Sequence, residues 1–227
     1  MPRYYPVFLN LEGKRAVIIC GGREAERKIP PLLACGAQVT LISPTLTPQL
    51  EDLARDGALT LYRRTYTPGD MKGAYLAIVG TEDVGINHEA ASEARREGVL
   101  VNTVDDIPYC DFAAPAVVQQ GDLTVAISTN GKSPAMARRM REELESYLTP
   151  DYADLLNVMA KVRITLLRQR IRPRPDRWQE HIDAELRDLI KQGDLQMAQD
   201  YLLAKLVESA GQDGTLTQAE RPGATAS

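Results

Sequence analysis

The chain has 227 residues, 44% hydrophobic and 26% charged, which suffices for one full domain and a smaller appendage and excludes a peptide, a coiled coil or a disordered tail. Its 27 Lys and Arg against 31 Asp and Glu leave a net charge of −4, so a surface built throughout to grip nucleic acid or an anionic membrane is excluded, and an anionic ligand must meet a local basic patch. Cys20, Cys35 and Cys110 lack Cys-x-x-Cys spacing, the opening residues lack an apolar leader, and no run of eighteen apolar residues occurs, so a soluble chain in a reducing, cytoplasmic setting is expected.

Arg15 to Ile19 is a short apolar run that meets Cys20-Gly21-Gly22 and then a charged helical stretch from Arg23 to Cys35, the strand, turn and helix of a βαβ unit. Pro30 and Pro31 predict a kink or interruption in that helix, since each costs roughly 3 kcal/mol in a helix interior. Gly36 ends it, and Gln38 to Ser43 supplies a second strand of the kind buried on both faces of a parallel sheet. A short helix over Pro48 to Asp56 follows. Leu59 to Tyr62 and Ala74 to Val79 are two more strands, Val84 to Glu97 is a surface helix closed by Gly98, and Leu100 to Thr103 is a fifth strand. This alternation predicts a doubly wound α/β domain in the first half of the chain.

After Asp111 the rhythm changes. Ala113 to Gln119 and Leu123 to Ser128 are adjacent strands joined by a hairpin-like turn at Gln120-Gly121-Asp122. Ser133-Pro134 opens an amphipathic helix with Met136, Met140, Leu144 and Leu148 at i, i+4 spacing. Three helical patterns follow, Tyr152 to Gln169, Asp176 to Lys191 and Asp194 to Leu206, and the small and polar residues 207–227 read as a disordered tail.

Several clusters carry possible chemistry. The glycine turn can direct backbone N–H groups and a helix dipole at a pyrophosphate, or it can be an ordinary structural turn. Cys20 stands where the fingerprint wants its first glycine, and Gln38 to Thr47 contains no charged residue, so charge does not choose between NAD and NADP. Asp105 and Asp106 follow the fifth strand at the edge where such sheets bind ligands, as a general base or as caps of the turn around Pro108. The loop Ser128 to Pro134 runs from a strand into a helix start with free N–H groups, hydroxyls and Lys132, suited to a carboxylate or phosphate, or to plain capping. Lys161 to Arg177 holds seven cations and one acid without the aromatic interleaving of RNA readers. His88 and His181 sit in no metal-ligand spacing and read as core or surface residues, and Tyr201-x-x-x-Lys205 is a chance match to a dehydrogenase dyad.

Taken in order, Gly21-Gly22-x-x-Ala25-Glu26-Arg27-Lys28, Leu32-Leu33-x-x-Gly36-Ala37-x-Val39-Thr40, Val101-Asn102-x-Val104-Asp105 and Ala126-Ile127-Ser128-x-x-Gly131-x-Ser133-Pro134-x-x-Ala137-Arg138 resemble the siroheme-synthase-type precorrin-2 dehydrogenases, from about Tyr5 to Leu206. The resemblance implies an NAD-binding Rossmann domain over 1–112, a segment at 113–149 exchanged across a homodimer, and an all-α domain over 150–206. It also implies NAD-dependent conversion of precorrin-2 to sirohydrochlorin, with Asp105 as catalytic acid or base and NAD contacts at Gly22, Arg23, Glu24, Pro44, Thr45 and Asn102. Ser128, Lys132, Ser133 and Arg138 are then expected at the carboxylate-rich substrate, with no resident metal and no nucleic-acid or membrane partner. Some relatives of that kind are also ferro- or cobaltochelatases, and a non-enzymatic dinucleotide sensor is a further alternative.

Overall fold

In the computed structural model, which describes residues 3–213, the chain divides into two compact units. One is the chain up to Pro115 together with Ser128–Pro134; the other is Ala116–Ile127 and the described residues from Ala135 onward.

The first unit is a parallel sheet wrapped by helices. Its central strand, β1 (Arg15–Ile19), lies between β2 (Gln38–Ile42) and β4 (Leu76–Val79), which is why its apolar run is continuous rather than alternating. β3 (Thr60–Tyr62) extends the sheet beyond β2 and β5 (Leu100–Thr103) beyond β4, giving the order β3-β2-β1-β4-β5. Side chains alternate across the sheet, so Ala16 and Ile18 join the layer that packs Ala25, Ile29 and Leu50 of α1 (Arg23–Ala34) and α2 (Pro48–Arg55). Val17 and Ile19 face the other layer, against Ala90, Ala91 and Ala94 of α3 (Val84–Arg96).

The expected break at Pro30-Pro31 does not occur, and α1 runs unbroken through both residues. Both prolines are exposed and lie in the last turns, so the carbonyls they leave unpaired can turn to water instead of being stranded in the core. The helix then ends in a Schellman motif, with Ala37 N donating to Leu32 O at 3.1 Å and Gly36 N to Leu33 O at 2.9 Å. Gly36 is required there twice over: its φ is +75°, and a Cβ would lie 2.1 Å from Glu12 Oε2.

A buried carboxylate ties α3 to the loop before β4. Glu93, only 4% exposed, accepts from the Tyr66 hydroxyl and, at 2.7 Å, from Gly69 N. Burial, and then the bond to Glu93, push the Tyr66 phenol far above its ordinary pKa, so it stays a donor.

In the second unit, β6 (Ala116–Gln120) and β7 (Leu123–Ile127) form an antiparallel hairpin closed between Gln120 and Leu123. Its Gly121 turn lies against α5 (Asp151–Arg168), where a Cβ would sit 3.0 Å from that of Ala153. The hairpin thus clusters with the C-terminal helices. α4 (Pro134–Tyr147) buries no residue within the chain. The core of this unit is formed by α5, α7 (Ala184–Gln192) and α8 (Leu195–Gln212), with Val162, Leu186, Leu202 and Leu206 fully buried.

Two helical expectations need correction. The stretch Asp176 to Lys191 is two helices, α6 (Pro175–Glu180) and α7, because Asp183 leaves the helical conformation to accept from Leu186 N at 2.9 Å as the N-cap of α7. The last helix does not stop at Leu206: α8 continues to Gln212, with Ser209 and Ala210 buried, so only 214–227 of the expected tail lies outside the described residues.

Tyr66→Phe should lower stability by about 1–3 kcal/mol, the cost of stranding a buried acceptor of Glu93. Urea denaturation of the two proteins measures it as a shift in midpoint at constant slope.

Candidate active site

The sheet order reverses direction at β1, so the loops leaving β1 and β4 diverge and open a crevice at the carboxyl edge. The loop leaving β1 is the glycine turn. A Cβ on Gly21 would lie 1.8 Å from Thr45 O and 2.3 Å from Ser43 Oγ, so only glycine lets the turn pass beneath the loop after β2. Ser43 Oγ donates to Thr45 O at 2.7 Å and Thr47 N to Gly21 O at 3.2 Å, which fixes Pro44 and Thr45 as the exposed rim of this turn. Cys20, standing where the fingerprint wants its first glycine, is accommodated: its side chain is buried in the apolar layer, and Gly21 provides the close approach.

Gly22 is different in kind. It is the N-cap of α1, with φ −98° and ψ −163°, and a Cβ there would meet nothing within 4 Å. No side chain caps the helix, so the N–H groups of the first turn, beginning at Arg23 and Glu24, face open space with the positive end of the helix dipole behind them. Beside them, Thr47 Oγ1 is a buried oxygen with no hydrogen-bond partner in the structure. An uncapped helix start and an open approach at Gly22 are a donor set that fits a pyrophosphate.

A cleft continues from the first turn of α1 to the loop after β5, all within the first unit. One wall carries Glu24, Arg27 and Lys28, which share a helical face by their spacing. Burial, and then the neighbouring Arg27, hold the Lys28 ammonium below its ordinary pKa. The facing wall carries Asn102, Asp105 and Asp106. Asn102 Nδ2 donates to Phe112 O at 2.8 Å, so this side chain also pins the strand that follows. Asp105 is in the left-handed region at φ +60°, the third residue of a turn closed by Asp106 N to Thr103 O at 3.2 Å. Val104 beside it packs on Gly80, where a Cβ would lie 2.8 Å from Val104 Cγ2.

Asn130 and Gly131 complete the lining, from a loop in which both residues have positive φ. The expectation of free N–H groups in this loop is overturned for three residues. Asn130 N donates to Ser128 Oγ, Lys132 N to Thr129 O and Ser133 N to Thr129 Oγ1, because the loop closes on itself. Ser128, Lys132 and Ser133 therefore share one braced loop beside Asn130. Arg138 belongs to the second unit, on α4, where its Nε pairs with Glu142 at 3.1 Å across an exposed i, i+4 step.

Arg27, Lys28, Gly80 and His88 were not among the expected site residues. The i, i+3 and i+4 spacing of Arg27 and Lys28 from Glu24 carried a signal for the first two. His88, read as a core or surface residue, has its Nε2 2.7 Å from Asp106 Oδ2. Cys110 is not a poised nucleophile, since burial pushes its thiol pKa up and Sγ donates to Thr103 O at 3.1 Å.

Comparison with known proteins agrees with this architecture. A family model described as "Putative NAD(P)-binding" matches residues 7–116, and one described as "Sirohaem biosynthesis protein central" matches 120–147. Siroheme synthase of Photorhabdus laumondii is 32% identical over 91% of this chain and 44% of that protein, and siroheme synthase of Nitrosococcus oceani 33% identical over 90% and 44%. The chain thus spans less than half the length of these curated relatives. The solved structure of SirC, precorrin-2 dehydrogenase, superposes with a TM-score of 0.70 at 26% identity, covering 87% of this chain and 99% of that one. With its glycine turn and open sheet edge, this chain is a homologue of part of the siroheme synthases, similar to an NAD(P)-binding family over residues 7–116 and to the central segment of sirohaem biosynthesis proteins over 120–147.

Proposed function

We propose that this chain is an NAD-dependent dehydrogenase that converts precorrin-2 to sirohydrochlorin. The observation that carries the reading is the cleft itself, which joins an uncapped helix start to a wall of cations facing a wall of carboxylates. Its support from relatives is the likeness to SirC over nearly that protein's whole length.

In this reading the N–H groups of Gly22, Arg23 and Glu24 receive the pyrophosphate, and Pro44 and Thr45 border the adenosine half. The stretch Gln38 to Thr47 offers neither an acid for the ribose hydroxyls nor a Lys or Arg for a 2′-phosphate, so the choice of NAD follows the family resemblance and not charge. Asn102 borders the nicotinamide half. When bound, the cofactor supplies a hydride acceptor. The substrate loses two hydrogens, one as hydride and one as a proton, and Asp105 takes the proton from the cleft wall. Arg27 and Lys28, with Lys132, Ser128 and Ser133 on the neighbouring loop of the same unit, hold the substrate carboxylates. Partial desolvation of Lys28 strengthens its pairing with a carboxylate, because less water competes for the ammonium.

The same reading gives a homodimer. The hairpin β6–β7 is a two-stranded sheet, too small to be stable by itself, and α4, with Met140 and Leu144 on one face, buries none of its residues within the chain. No helix among the described residues is long and apolar enough to cross a membrane, and Cys20, Cys35 and Cys110 are all free thiols, which suits the reducing cytoplasm.

Gly22→Asp should fold normally, since nothing occupies the space and an N-cap aspartate suits the helix start. Its carboxylate takes the N–H groups meant for the pyrophosphate, so calorimetry should show NAD affinity down by at least about tenfold, or roughly 1.4 kcal/mol. Asp105→Asn should keep NAD binding and lose on the order of 10²-fold in turnover of precorrin-2. Near-normal turnover in that variant would return Asp105 to the role of a turn residue. Light scattering should give a particle of twice the 25.1 kDa chain mass that resists dilution, and a persistent monomer would contradict the dimer.

A further inference from the structure

The wall that carries Asp105 is held from behind by α3. His88 Nε2 donates to Asp106 Oδ2 at 2.7 Å, and its ring stacks on Tyr109 with centroids 4.0 Å apart and planes 10° from parallel. Two turns along the same face, Arg95 donates to Pro108 O at 3.0 Å and to Asp111 Oδ1 at 3.2 Å, and its guanidinium lies 5.7 Å from the Tyr109 ring. Asp111 in turn accepts from Val101 N at 3.2 Å. One helix thus grips the segment 106–111 at successive points. Of these contacts, the His88 bond alone reaches the turn that contains Asp105.

That turn is pinned at both ends. On one side Val104 N donates to Val79 O at 2.8 Å, which continues the β4–β5 pairing; on the other, the Asp106 carboxylate is held by His88 and its carbonyl accepts from Tyr109 N at 3.0 Å and from Cys110 Sγ at 3.3 Å. Between them Asp105 adopts φ +60°, a conformation uncommon outside glycine although Asp takes it more readily than most residues. Without the His88 bond the Asp106 side chain loses its anchor to α3 and the turn is left to its backbone contacts, so the Asp105 carboxylate is held less firmly at its place in the cleft wall.

We propose that His88 is a positioning residue: through its bond to Asp106 it keeps Asp105 in the left-handed conformation that presents the carboxylate to the cleft. The inference rests on Asp105 as the acid/base group of the proposed dehydrogenase. His88 itself is not among the residues that line the cleft, so it acts through the geometry of the turn and not by touching substrate.

The test compares His88→Ala, His88→Gln, Asp106→Ala, Asp105→Asn and the double variant His88→Ala/Asp105→Asn, in full-length protein with precorrin-2 and NAD. His88→Ala should lower kcat about tenfold or more, as expected when a reacting group is displaced by a fraction of its own size. NAD affinity and the KM for precorrin-2 should stay within about twofold. His88→Gln, whose side-chain amide can still donate to Asp106, should recover most of the lost kcat. Asp106→Ala cuts the same bond from the other side and should reproduce the loss, so it decides the matter if His88→Ala fails to fold. In the Asp105→Asn background, loss of His88 should cost nothing further in kcat, because a lost base gains nothing from being well placed. Wild-type kcat in folded His88→Ala or Asp106→Ala, or additive losses in the double variant, overturns the positioning role while leaving Asp105 in place. Near-normal kcat in Asp105→Asn instead overturns the reading on which the inference rests.

Discussion

At the carboxyl end of β1 the backbone of Gly21 passes so close to the Thr45 carbonyl that any side chain would overlap it. β1 cannot move aside to relieve this contact, since it is paired in parallel on both edges and buried on both faces. The turn must therefore rise past the β2 loop and start α1 at once, before any side chain can cap it. The open helix start and the position of the Pro44-Thr45 rim both follow from that single approach. A second close contact, Gly80 against Val104, sets the other side of the crevice in the same way. Two glycines in van der Waals contact with neighbouring loops thus define where a ligand can enter.

The electrostatics of the cleft follow from where the helices begin. Arg27 and Lys28 lie one turn into α1, on the face turned toward the β5 loop, so their charge adds to the positive end of the helix dipole. The opposing wall gathers Asp105 and Asp106 on a turn braced by α3. In the proposed function, a chain of net charge −4 meets a polycarboxylate with a local cationic face and keeps a carboxylate within the same cleft to accept a proton. This separation of roles between two walls is the physical content of the proposed dehydrogenase.

Much of the first unit was legible before any coordinates. Continuous runs such as Ala16 to Ile19 and Leu76 to Val79 announce strands buried on both faces, and Gly36 announces the end of α1 through its positive φ. The misreadings came where a local rule met a tertiary or capping effect. Pro30-Pro31 carries a general helix penalty, but both prolines are exposed and lie in the last turns, where carbonyls freed by the missing N–H groups can turn to water. Asp183 was a readable N-cap signal that the helical pattern around it outweighed. Ser209 and Ala210 look like tail composition and are buried by packing that no local window contains. The approach of His88 to Asp106 joins residues eighteen apart on different elements, and only the packing of α3 beside β5 brings it about.

The central claim is that this cleft carries out cofactor-dependent removal of two hydrogens from a reduced tetrapyrrole. The most direct measurement is a visible and near-ultraviolet spectrum of the purified protein with precorrin-2, recorded anaerobically with and without NAD. The account predicts that sirohydrochlorin and NADH appear together in equal amounts, and only when NAD is present. Precorrin-2 left unchanged in the presence of NAD, or converted at the same rate without it, would contradict it.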